Sequence, residues 1–594
     1  MSCFHSTLPF GAEPFEGGTR FRWWAPALST ATLEVEGLAP IPMQRQDDGV
    51  FQARAPCQAG ARYLYRIAED LAVPDPASRA QSGGVHGASV VVDADAYRWR
   101  CPDWKGRPWH EMTLYELHTG CLGAAPHGFA GVGERLPQIA QLGVGAVELM
   151  PIAEFSGNRN WGYDGVLPYA PASAYGTPSE LKALIDTAHE LGLCMILDVV
   201  YNHFGPEGNY LHAYAPAFFD PDRDSPWGAS IDFNCPQVRE FFIANAIYWL
   251  MEYRFDGLRL DAVHAIGNPG FVDELAQRVR AAVEPGRHVF LTLENENNQA
   301  AHLQGDYDAQ WNDDGHNVLH VLLTGERDAY YANYAEAPAE KLARCLAEGF
   351  VYQGEPSPTH DMRPRGTPSA RLPPSAFILF LQNHDQIGNR ALGQRLTELV
   401  EPRALDAAIV LQLLTPQIPL LFMGEEWGAR TPFLFFTDFH DALADAVRDG
   451  RRREFAGFSA FADDATRTEI PDPNDPETYR RSRPDFDEIK RSPFVSRWQL
   501  YRRLLKLRRD AISSRLPGTA SIGAQTVGPA AVTAGWRLGD GAVLRIACNL
   551  GALEVAVAPC TDNLLFESAA DAGVGVVAGR LQAFATAVFL ESSP

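Results

Sequence analysis

The chain has 594 residues, 46% of them hydrophobic and 21% charged, which suits a globular protein of two or three domains with a large core. Its formal net charge of −23 argues against nucleic acid or an anionic membrane as partner and favours a neutral or cationic ligand. Nine scattered Cys, none spaced as Cys-x-x-Cys, argue against a zinc site or a disulfide framework and read as reduced thiols.

The first twenty residues carry neither a basic n-region nor an apolar h-region, and no apolar run approaches the ~20 residues of a membrane span. A cytoplasmic location is therefore expected. Residues 1–100 read as a β-sandwich resembling a carbohydrate-binding module, because residues 19–24, 31–36 and 62–67 alternate between turn signals at residues 47–49 and Gly60. Trp23 and Trp24 fit core or interdomain packing better than a glucan platform. Residues 102–108 read as a linker.

From residue 108 to 515 the pattern changes to short apolar strands separated by helix-length segments. The expected strands are Thr113–His118, Ala146–Met150, Cys194–Val200, Gly257–Asp261, His288–Glu294, Ala309–Asn312, Phe377–Asn383 and Pro419–Met423. Eight strands alternating with helices predict an α/β fold, a (β/α)8 barrel, whose active site would lie at the C-terminal strand ends. Two stretches, 201–235 and 428–496, interrupt the alternation as insertions placed to shape a cleft. Residues 497–510 predict a barrel-covering helix with Leu500, Leu504, Leu505 and Leu507 inward; its Arg-rich side is a weak nucleic-acid signal. Residues 516–594 return to all-β, with a turn at residues 539–541.

Four of the strand ends carry reactive residues: Asp198 to His203, Arg259 with Asp261, Glu294, and His384 with Asp385. On a strand, Arg259 and Asp261 share a face, and a cation two residues away keeps Asp261 ionised as a nucleophile requires. Alone, that pair reads better as a structural ion pair at a strand end. A barrel mouth gathering three carboxylates, two His, an Arg and aromatics, without a Ser or Cys motif, points to acetal chemistry. Glu296 competes with Glu294 for the acid role, although Glu294 directly follows the apolar strand.

The four motifs, in this order and on these strands, resemble the α-amylase family of glycoside hydrolases along essentially the whole chain. The resemblance implies Asp261 as nucleophile, Glu294 as general acid/base and Asp385 as stabiliser of an oxocarbenium-like transition state. It implies that Arg259 orients Asp261, that His203 and His384 hydrogen-bond the sugar, and that Asp198 is structural. Tyr163, Trp161, Trp227, His264 and Gln386 would be further substrate contacts, with core packing as plausible for both Trp; Arg390 is as plausible an ion-pair partner. Asn202 resembles a calcium ligand of some amylases, but the rest of that site is missing from the sequence, so neither a metal nor a cofactor is expected.

Longer runs at 148–155, 157–165, 261–266, 310–314, 322–327, 383–390 and 421–429 resemble the family's trehalose-releasing branch. That implies maltooligosyltrehalose and related α-glucans as substrates, and action alongside a maltooligosyltrehalose synthase. A glucan branching enzyme or general α-amylase is the enzymatic alternative. A catalytically silent glucan-binding protein on the same scaffold is the other, disfavoured because Asp261, Glu294 and Asp385 are all present.

Overall fold

A computed structural model describes residues 8–122, 128–225, 227–455, 461 and 463–591. Cys3 and parts of both insertions therefore lie outside the described residues. At the centre is a closed parallel barrel. Its strands are β1 (Leu114–Leu117), β2 (Ala146–Leu149), β3 (Cys194–Val199), β4 (Gly257–Leu260), β5 (Phe290–Leu293), β6 (Ala309–Trp311), β7 (Phe377–Phe380) and β8 (Ile418–Phe422). All eight fall within or across the expected runs. After β4 and β5 the reactive residues Asp261 and Glu294 stand just beyond the last strand residue.

The period of two explains how the barrel is filled. Leu114, Ala146, Cys194, Ile196, Phe290, Ala309, Ile378, Phe380, Ile418 and Leu420 form an apolar plug inside the barrel. Two residues further along their strands, the same inward face presents Glu116, Glu148, Asp198, Arg259 and Thr292. Cross-strand registers pair Glu116 with Glu148, Asp198 with Arg259, and Arg259 with Thr292. The interior thus changes from hydrocarbon to charge toward the C-terminal ends, where barrel active sites lie.

The outer helices show ordinary local causes. Pro178–Glu190 opens with a reciprocal capping box between Thr177 and Glu180. Phe494–Ala511, the helix expected at 497–510, covers the barrel with Trp498, Tyr501, Leu504 and Leu505 buried. Its Tyr501 hydroxyl donates to Glu425 at 2.9 Å, and Arg508 is fully buried against the carbonyls of Leu413, Thr415 and Gln417.

Before the barrel stand two antiparallel sheets, one of four strands and one of six. Trp23 is fully buried, stacked on Tyr65 at 4.5 Å and edge-on to Tyr214 of the first insertion. Trp24 packs against Phe218 of the same insertion. Both tryptophans therefore join the N-terminal sheets to the barrel. The stretch 102–108 is pinned rather than loose: Trp104 stacks on His189 and donates to Asp256 at 2.8 Å. The first insertion forms a short helix, Leu211–Tyr214, and a hairpin of Phe219–Ser225 with Gly228–Ile231. After the barrel, a five-stranded antiparallel sheet includes Ala531–Arg537 and Val543–Asn549, joined by the expected turn at Gly539–Gly541.

Candidate active site

A cavity of about 810 Å³ opens at the C-terminal ends of the strands. Asp261, Glu294 and Asp385 line it together with Trp161, Tyr163, His203, Trp227, His264, His384 and Gln386. Arg259 lies beneath them, fully buried.

Arg259 organises the floor. Its Nη1 donates to both oxygens of Asp198 at 2.9 and 2.8 Å and to Asp261 Oδ1 at 2.8 Å, while Nη2 donates to Glu294 Oε2 at 2.6 Å. The guanidinium also lies 4.2 Å from the centroid of the Trp311 ring, where the ring face adds to its stabilisation. One cation thus fixes three carboxylates from three strands. Charge-assisted bonds of this kind are about twice as strong as neutral ones and hold geometry tightly. Burial pushes the Asp198 carboxyl up to about 7, against the lowering pull of Arg259.

Asp261 receives a second clamp from Asn202, whose amide donates to Oδ2 at 2.7 Å and to the Asp261 carbonyl at 3.0 Å. Asn202, the residue resembling a calcium ligand, therefore serves the carboxylate directly. Glu294 accepts from the Ala262 N–H at 3.0 Å, and Ala262 has φ 40° and ψ 50°. A left-handed alanine costs of the order of 1–3 kcal/mol, and here it aims a backbone donor at Glu294. Asp385 is the most open of the three carboxylates and accepts from Asn389 at 3.1 Å.

Glu296 stands apart. Its half-exposed carboxylate lies 3.9 Å from His264 and 3.7 Å from His360, without contact to Arg259. The geometry separates it from Glu294 more clearly than the sequence does. His203 rests its Nε2 against the Tyr163 carbonyl at 2.9 Å, and burial lowers its pKa. Tyr163 donates to Asp198 at 2.7 Å and stacks on His384 at 5.1 Å, so one of its faces is taken by protein.

The two tryptophans differ. Trp161 is buried, stacked on Phe433, bonded through Nε1 to the Leu434 carbonyl, and pressed over Gly388 so closely that a Cβ there would lie 2.1 Å from the ring. Trp227 is 48% exposed at the cavity edge and stacks on His203. Gln386 donates its backbone N–H to the capping side chain of Asn383 at 2.9 Å and leaves its own side chain on the cavity wall. Arg390 forms a two-pronged ion pair with Glu326 at 2.7 and 2.8 Å, the structural alternative for this residue.

Several cavity residues are not singled out individually by the sequence. Asp313 opens the helix Asp313–Thr324, and its carboxyl is pushed well up by burial and then by the charge of Glu294. Tyr334 and Arg365 line another wall, joined by a 2.9 Å hydrogen bond. From the second insertion come Phe435, Val447, Arg451 and Glu454. Asp313 lies in a run already singled out for its resemblance, and its place at the mouth end of β6 was the available clue.

Residues 123–225 match the model of the alpha amylase catalytic domain, and residues 519–588 match a domain of unknown function, DUF3459. A malto-oligosyltrehalose trehalohydrolase of Deinococcus radiodurans is 40% identical over 510 residues, 84% of this chain and 83% of that protein. A solved structure titled as a putative alpha amylase from Salmonella typhimurium superimposes with a TM-score of 0.93 at 42% identity, covering 99% of this chain and 100% of that one. A 1,4-alpha-glucan branching enzyme of Bacillus caldolyticus is 32% identical but over only 43% of either chain. Identity at that level across more than four-fifths of both proteins settles the relationship: the chain belongs to the malto-oligosyltrehalose trehalohydrolases of the α-amylase family.

Proposed function

We propose that this cavity hydrolyses the α-1,4-glucosidic bond next to the terminal trehalose of maltooligosyltrehalose, releasing trehalose and a shortened glucan. The observation that carries the chemistry is the Arg259 guanidinium, which binds Asp261 and Glu294 through neighbouring nitrogens at the floor of the cavity. Two carboxylates on one guanidinium suit the close pairing, about 5–5.5 Å, that retaining glycosidases use, rather than the wider gap that admits a water.

In this reading Asp261 attacks the anomeric carbon while Glu294 gives its proton to the glycosidic oxygen, and trehalose leaves. Glu294, now a carboxylate, takes a proton from water, which attacks the same carbon and frees Asp261. Each step inverts the centre, so the configuration is retained overall. Asp385 faces the sugar ring and stabilises the developing positive charge. His384, His264 and Gln386 hold sugar hydroxyls, and Tyr163 and Trp227 offer stacking faces, whereas the ring nitrogens of His203, expected to bond the sugar, are already met by the Asn202 amide oxygen and the Tyr163 carbonyl. Trp161 frames the wall from behind.

A maltooligosyltrehalose synthase would supply the substrate. A cytoplasmic setting is part of the proposal, supported by eight free thiols among the described residues. No helix among those residues is long and apolar enough to cross a membrane.

The test is product analysis on maltotriosyltrehalose with maltopentaose in parallel. Free trehalose from the first, with little cleavage of the second, is the expected result. Rapid cleavage of both would return the chain to general amylase activity, and transfer onto long amylose without hydrolysis would make it a branching enzyme.

A further inference from the structure

Below the cavity, Glu116 of β1 makes a contact that the proposed reaction does not use. Its carboxylate is fully buried and grips His384 twice: Oε2 accepts the His384 backbone N–H at 3.0 Å, and Oε1 pairs with ring Nδ1. A carboxylate can only accept at these two positions, so Nδ1 must carry the hydrogen. The other ring nitrogen, Nε2, lies 3.6 Å from Asp385 Oδ1. With Nδ1 protonated, Nε2 bears a hydrogen only when the ring is an imidazolium.

We infer that Glu116 is a positioning residue for the cleavage subsite: it fixes the His384 ring and keeps Nε2–H available as a donor beside Asp385. The inference rests on the reading that His384 holds the sugar. Tyr163 stacks on the ring and the edge of Trp161 meets it at 5.7 Å, and between these flanks Glu116 supplies the hydrogen bond that sets which way the ring nitrogens point.

The charges around His384 decide its protonation. Burial alone opposes the imidazolium, but Glu116 and then Asp385 outweigh it and raise the pKa to about 9. Arg259 pulls the other way, as His118 does from beyond β1. Glu148 and Asp198 face the same ring from β2 and β3. Glu116 is the only one of these groups in direct contact with Nδ1.

The experiment measures kcat and KM from pH 5 to 10 for wild type, Glu116→Gln, Glu116→Asp, His384→Asn and the Glu116→Gln/His384→Asn double variant, with thermal unfolding as the fold control. Glu116→Gln should lose about 10- to 100-fold in kcat at neutral pH, the usual scale for a lost orienting partner. Its alkaline limb should also move down by at least about one pH unit. The double variant should match His384→Asn, because the effect passes through the ring. Glu116→Asp, which keeps the charge but shortens the reach, should hold the alkaline limb while losing kcat, and it carries the test should the Gln variant fail to fold. An unchanged profile in Glu116→Gln, or losses that multiply in the double variant, would overturn the inference. Wild-type kinetics in His384→Asn would instead sink the subsite reading on which it rests.

Discussion

The two ends of the barrel each hold a buried charged cluster, and the two clusters are built on opposite plans. At the N-terminal end, Asp256 accepts from Trp104 at 2.8 Å, His189 at 3.0 Å and the Met195 N–H at 2.9 Å, with the Asp256 and His189 side chains fully inside the protein. Arg254 beside it donates to the carbonyls of Cys101, Pro102 and Trp104, and Arg287 to those of Leu250 and Phe255. These groups are spent on protein partners, and none of them lines the active-site cavity. At the C-terminal end, Arg259 is equally buried, but its partners Asp261 and Glu294 keep 12% and 18% of their side-chain surface open to the cavity. A closed cluster ties chain segments together, whereas a cluster held from below and open above can act on a ligand.

The sharpest way to break this contrast is Asp261→Asn. Hydrolysis should fall by at least about 10⁴-fold, the scale of losing one member of a catalytic unit, while oligosaccharide binding and the unfolding midpoint stay near wild type. Steady-state turnover with calorimetric binding checks both halves. Near-normal turnover would remove Asp261 from the chemistry.

At the other end, Asp256→Ala should do the reverse. It strands the His189 and Trp104 donors and should cost about 3–5 kcal/mol of stability, read by denaturant unfolding. Turnover per folded molecule should remain within about twofold of wild type, since distant sites act independently. A large drop in kcat with unchanged stability would erase the distinction between the ends.

The pH dependence of stability sharpens the comparison further. His384 is raised from 6.5 to about 9, so its contribution is fully present below pH 6.5 and lost as pH rises through 9. That difference is of order 3 kcal/mol. The unfolding midpoint should therefore decline over this window, and His384→Asn should flatten the decline. A decline of the same size in the variant would assign it to other groups. The smallest effect is expected from Trp227→Ala, which removes the exposed ring at the cavity edge. KM should rise about 2- to 10-fold, equivalent to ~0.5–1.5 kcal/mol of stacking, with kcat unchanged.

Much of the fold was legible because a barrel writes itself in short apolar runs of period two, each followed by a polar end. The same alternation exposed Asp198, Arg259, Asp261, Glu294 and Asp385, whose strands bring them together whatever the loops do. Glu116 lay inside the expected strand Thr113–His118 yet passed unnoticed, since its partner His384 is 268 residues away. Glu148 was hidden for a related reason: its burial, with neither oxygen hydrogen-bonded, is visible only once the barrel closes. Tyr334 and Arg365 arrive on short elements after β6, and Arg451 on the helix Asp441–Glu454 of the second insertion, whose polar, charged sequence carries no apolar stripe to mark the side turned inward. Trp161 and Trp227 show the limit from another direction, since residue type alone does not separate a ring packed on Phe433 from one left open at the rim.

The central claim is that the open cluster, through Asp261, makes a covalent bond to the sugar. The most direct measurement is mass spectrometry of Glu294→Gln protein quenched during incubation with an α-glucosyl fluoride, whose leaving group needs no acid. The account predicts one added glucosyl unit on the peptide containing Asp261, and retained configuration in the product formed by the wild type. An adduct on another carboxylate, or no adduct together with an inverted product, would contradict it.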